Sequence, residues 1–149
     1  MTVFLRTPDQ IEEALRSRKW CAIDCSPTGL DPLLRHPTAL EDRQKLTGGL
    51  ADQWFEIARR LASSPGASLA HMPACAANAS DFWEMLKWSA LVEQWAAAPE
   101  ELLVVCRDPW LYRHLAGPTG VRGARPPGIG WRRAGLGIRG YAARSKVAG

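Results

Sequence analysis

The run Leu102-Leu103-Val104-Val105-Cys106, followed by Arg107-Asp108-Pro109-Trp110-Leu111, constrains the fold more than any other stretch of this chain. Five consecutive apolar residues, two of them β-branched, predict a strand buried on both faces, as strands inside parallel sheets are. Asp108 stands where a helix N-cap is needed, and Pro109 supplies a first helical residue with its φ already fixed. Leu111 and Leu115, four apart, share one helix face. Strand, two-residue turn and helix form half of a βαβ unit.

The upstream sequence repeats that pattern. Val3-Phe4-Leu5 predicts a first strand, and Thr7-Pro8-Asp9-Gln10 a capping box. That box opens a helix to about Arg18, with Ile11, Ala14 and Leu15 inward. Trp20-Cys21-Ala22-Ile23 reads as a second strand, emptying at Asp24 into the turn-rich Cys25-Ser26-Pro27-Thr28-Gly29 loop. Thr38-Ala39-Leu40-Glu41 is a second capping box. Its helix runs to about Ala62 or breaks at Gly48-Gly49, where each glycine costs about 1 kcal/mol relative to alanine. Ser68 to Met72 predicts a third strand, and Ser80 or Asp81 caps a helix to about Ala97. Trp88, Leu91, Val92 and Trp95 share a face of that helix. The alternation predicts an α/β fold over residues 1–116, Rossmann-like, with a mostly parallel sheet and helices on both faces.

Beyond residue 116 the alternation stops. Of the chain's 19 basic and 15 acidic residues, seven basic and no acidic ones lie in 117–149, together with nine of the 13 glycines. The net charge of +4 therefore belongs to this segment. Its Gly/Arg/Pro-rich composition predicts a disordered terminus that contributes little to stability. The arginines, with Trp131 and Tyr141, also suit contacts with an anionic membrane surface or nucleic acid. No apolar run reaches transmembrane length, and the N-terminus lacks a secretory h-region. The expected location is the cytoplasm, peripheral to the inner membrane where the basic segment engages it.

Few motifs carry chemistry. No G-x-G-x-x-G follows a predicted strand, and no P-loop motif occurs. The four cysteines form no C-x-x-C pair, and His36, His71 and His114 are widely separated, so neither a metal nor a cofactor is expected. Cys21 and Cys25, read on one strand, would point to the same face about 13 Å apart at the ~3.3 Å rise per residue, too far for a disulfide. In a parallel sheet, ligands collect at the carboxyl ends of the strands. That edge would receive Arg6, Thr7, the Asp24–Thr28 loop, His71, Arg107 and Asp108. Asp24, Asp108 and His71 are the candidate catalytic residues there. Ser26, Thr28, Arg107 and Trp110 are the candidate ligand contacts, with Trp110 or Trp83 able to stack on a sugar or base.

Asp24, with a threonine four residues on, resembles the nucleophile loop of haloacid-dehalogenase-type phosphatases, except that Ser26 stands where that family has its second carboxylate. In a purely structural role, Asp24 would accept turn N–H groups. A different resemblance covers residues 1–116. It rests on Trp20 to Asp24 with the Ser-Pro loop, on Phe82-Trp83-Glu84-Met85-Leu86-Lys87-Trp88, and on Leu103 to Pro109 leading into Leu111. Together these stretches resemble the N-terminal, Rossmann-like half of bacterial surface-carbohydrate biosynthesis proteins related to two-domain glycosyltransferases. That resemblance implies a lobe that contacts a carbohydrate acceptor or nucleotide-sugar and need not be active alone. A non-catalytic ligand-binding or regulatory α/β module and a small phosphohydrolase are the alternatives.

Overall fold

The structure, a computed structural model, describes residues 2–63 and 82–129. Its centre is a four-stranded, all-parallel sheet in the order β2-β3-β1-β4, formed by β1 (Val3–Arg6), β2 (Trp20–Ile23), β3 (Leu102–Cys106) and β4 (Val121–Gly123). The described α-helices are α1 (Ala39–Gly49), α2 (Ala51–Ala62), α3 (Phe82–Ala97) and α4 (Pro109–Leu115). An α/β, Rossmann-like arrangement is thus what the chain adopts. The predicted strand at Ser68 to Met72 lies outside the described residues.

β3 is central and all five of its residues are buried, as the apolar run requires. Leu102, Val104 and Cys106 face a main core with Val3, Leu5, Trp88, Leu91, Val92, Leu111 and Leu115. Leu103 and Val105 face a smaller core with Leu15, Trp20 and Leu30. Crossover handedness explains the two layers. The β1-to-β2 connection steps one way across the sheet, whereas β2-to-β3 and β3-to-β4 step back. Right-handed crossovers then put the first connection on one face and the helices on the other.

α4 begins as expected: Asp108 Oδ1 accepts from the N–H groups of Trp110 (2.9 Å) and Leu111 (2.8 Å), with Pro109 in the first turn. Asp108→Ala is expected to cost ~0.5–2 kcal/mol by chemical denaturation, the usual loss of an N-cap, with the fold retained. The break between α1 and α2 falls at Leu50, directly after Gly48-Gly49.

Four expectations need correction. The segment from Thr7 to Arg18 forms only a single 3-10 turn, Glu13–Leu15, instead of a capped helix. Its polar residues are drawn elsewhere: Arg6 Nε donates to both carboxylate oxygens of Glu12 (3.0 and 2.7 Å), and Gln10 Nε2 donates to the Arg125 carbonyl (3.1 Å). The guanidinium holds the Glu12 carboxyl below its usual range. The capping box at Thr38 is also absent, because the Thr38 hydroxyl donates to Asp42 Oδ2 (2.7 Å) and accepts no helix N–H.

The third correction concerns Cys21 and Cys25, which do not share a face. β2 ends at Ile23, and Asp24 takes a left-handed conformation (φ 51°) that Asp tolerates better than most residues. Cys25 therefore packs on the smaller core while Cys21 faces the main one.

The fourth concerns the boundary at residue 116. Val121–Gly123, assigned to the tail, is the edge strand beside β1, paired Val3 with Val121 and Leu5 with Gly123. Buried Tyr112 fastens it: its hydroxyl donates to the Leu5 carbonyl (2.9 Å) and accepts from the Ala124 N–H (2.9 Å). A Cβ on Gly123 would lie 3.2 Å from the Ala116 methyl, so the close approach of β4 to α4 favours glycine there. Arg6 adds a bond to the Arg122 carbonyl (2.8 Å).

Candidate functional site

The strand order places β2 directly against β3, so the loops leaving both strands share one edge of the sheet. Asp24, Ser26 and Thr28 come from the first loop and Arg107 from the second, and all four are exposed. None makes a hydrogen bond or ion pair with another side chain among the described residues. The Asp24 carboxylate accepts no turn N–H among the described residues, and the left-handed backbone at Asp24 is the structural feature that suits Asp there.

The loop itself is well anchored. The Cys25 thiol donates to the Val105 carbonyl (3.4 Å), tying it to β3. Trp20 Nε1 donates to the Asp31 carbonyl (2.8 Å), Arg16 Nη1 to the Gly29 carbonyl (3.1 Å), and Asp31 Oδ1 accepts from the Leu33 N–H (2.9 Å). A held backbone carrying uncommitted polar side chains is a geometry suited to hydrogen-bonding a polar ligand.

Asp108 and Trp110 border the same edge from the start of α4. Asp108 is committed to capping, and Trp110 is 36% exposed. His71 lies outside the described residues. Trp83 does not present an open face: its ring packs edge-on against Trp54 (centroids 5.3 Å apart), with Lys87 Nζ 5.8 Å from its centroid.

The three described thiols, Cys21, Cys25 and Cys106, are not activated. Burial pushes Cys106 up to about 12 and Cys21 up to about 11, and it raises Cys25 as well. A thiolate nucleophile at neutral pH is disfavoured at each. Among the described residues no three His, Cys, Asp or Glu side chains converge as a metal site would require, and no helix is long and apolar enough to cross a membrane.

Two cavities flank the outer edge of β2, and sequence reasoning missed them. One, about 300 Å³, lies on the smaller-core side and is lined by Trp20, Cys25, Ser26, Pro27, Leu30 and Pro32. The other, about 250 Å³, lies on the main-core side and is lined by Cys21, His36, Pro37, Ala39 and Leu40. Ala22 and Arg35 line both. No local pattern announces Arg35: it reaches β2 only because the loop folds back to form a bridge with Trp20.

No family model matches the chain, and no curated protein or solved structure does either.

Proposed function

We propose that this chain is a glycosyltransferase-like lobe of bacterial surface polysaccharide biosynthesis. It binds a carbohydrate acceptor or nucleotide-sugar at the β2–β3 edge and need not be active alone. The observation that carries the reading is the set of Asp24, Ser26, Thr28 and Arg107, uncommitted and exposed on adjacent loops. A carboxylate, two hydroxyls and a guanidinium supply the donors and acceptors that sugar hydroxyls and a diphosphate need. Burial of Cys21 and Cys106, which raises both thiols, makes neither of them a ready nucleophile. The basic residues beyond 116 would draw the lobe to an anionic membrane surface.

Ligand-observed magnetic resonance with the full chain, against nucleotide-sugars and neutral oligosaccharides, tests this. Arg107→Ala and Asp24→Asn are each expected to weaken binding about tenfold or more, since hydrogen bonds to charged groups contribute ~1.5–3 kcal/mol. Thermal stability should barely change, both sites being exposed. Absence of binding across the panel rejects the reading. Magnesium-dependent hydrolysis of a generic phosphate ester, lost in Asp24→Asn, would replace it with the phosphohydrolase.

A further inference from the structure

The amino-terminal edge of the sheet, opposite the loops after β2 and β3, carries a third cavity of about 140 Å³, lined by His36, Trp95, Ala98, Glu100 and Leu102. Trp95 lies in the last turn of α3, Ala98 and Glu100 in the connection to β3, and Leu102 is the first residue of that strand. His36 is brought there by its backbone N–H, which donates to the carbonyl of Trp20, the first residue of β2 (2.7 Å). Its ring packs on the Trp95 indole, with centroids 5.1 Å apart and planes inclined by 40°. Nδ1 of that imidazole is shielded from solvent and makes no hydrogen bond among the described residues. Exposed Glu100 is engaged by Lys19, whose Nζ donates to Oε2 (2.9 Å).

We propose that this cavity binds a small molecule built on one aromatic ring with one hydroxyl, a phenol. The volume suits a single ring, since an apolar cavity of about 150 Å³ holds one benzene. Trp95 and the imidazole of His36 offer the aromatic surfaces against which a third ring packs in offset or edge-on geometry. Ala98 and Leu102 complete the lining with methyl groups. A hydroxyl both donates and accepts, so it satisfies Nδ1 of His36 in either imidazole tautomer. Leaving that shielded nitrogen unpaired is unfavourable, and the hydroxyl removes the deficit.

The chain's own remaining segments are poorer occupants. Residues 64–81 contain no Phe, Tyr or Trp. They join Ser63 to Phe82, which starts α3 at the other end from Trp95, about 20 Å away at a rise of ~1.5 Å per residue. Beyond residue 129 the chain does offer Trp131 and Tyr141. It continues, however, from the carboxyl end of β4, the strand farthest from β2. The proposal is independent of sugar binding at the β2–β3 loops.

Chemical-shift mapping of the full chain during titration with phenol tests this, with toluene as the ring that lacks the hydroxyl. Saturable shifts are expected at the Trp95 indole N–H and at the amides of His36, Ala98 and Leu102, with phenol bound about tenfold or more tightly than toluene. Ala98→Leu, at a partly exposed position, fills the cavity and should abolish the saturable shifts while the fold persists. His36→Phe keeps a ring on Trp95 and should erase the preference for phenol. Should either variant unfold, the comparison of phenol with toluene on the native chain still decides. Equal binding of the two ligands overturns the proposal, as do shifts that spread over the fold without saturating. Absence of binding overturns it too, and is the result expected if a side chain of residues 64–81 or 130–149 already fills the cavity.

Discussion

Val104→Asp is expected to abolish both the cooperative thermal transition and the near-ultraviolet circular dichroism of the folded protein. Val104 is fully buried at the middle of the central strand, paired with Leu5 on one side and Cys21 on the other. Its side chain faces the main core, which also holds Val3, Leu91 and Leu111. An aspartate there either stays ionised without a partner or takes up a proton, and both states cost several kcal/mol. Domains of this size are stable by only about 5–15 kcal/mol, so one such change can consume the margin. A cooperative melt with native near-ultraviolet signal in this variant would show that the strand is not central.

Truncation after Leu115 is expected to lower the Tm by more than about 10 °C, relative to truncation after Ile129, which keeps β4. The comparison isolates one strand and its fastenings. Without β4, the outer edge of β1 loses its ladder, and the buried Tyr112 hydroxyl loses the Ala124 N–H. Arg6 loses the Arg122 carbonyl and Gln10 the Arg125 carbonyl. Each lost bond is a net ~0.5–1.5 kcal/mol, and about 1 kcal/mol moves the Tm of a 60–100-residue domain by ~4–8 °C. The opposite expectation follows from composition alone, which makes everything past 116 dispensable. Equal melting of the two truncated chains would restore that view.

What was legible in the sequence depended on how locally each element is determined. β3 declares itself because burial on both faces leaves no room for a polar residue among Leu102 to Cys106. Its capped exit through Asp108 and Pro109 needs only adjacent residues. The segment after β1 misleads for the converse reason. Thr7, Pro8 and Gln10 have the composition of a helix start, but short helices need tertiary packing to persist. Here Glu12 and Gln10 are recruited by Arg6 and by the chain beyond β4.

β4 is three residues long and has no periodicity to read. Its position comes from Tyr112 and from Gly120, whose φ of 91° turns the chain back toward β1. The site was legible in its members and illegible in its assembly. Asp24, Ser26, Thr28 and Arg107 follow from the rule that ligands gather at strand ends. That the loops after β2 and β3 are direct neighbours on that edge follows from strand order, which no local pattern encodes. Arg35 reaches β2 through a long-range fold-back and was invisible for the same reason.

The central claim is that the loops after β2 and β3 together form one ligand edge. Amide chemical-shift mapping of the full chain during titration with a nucleotide-sugar tests it most directly. The account predicts concerted shifts at residues 24–28 and 107–110, with one common dissociation constant. Shifts confined to one of these loops, or centred elsewhere in the fold, would contradict it.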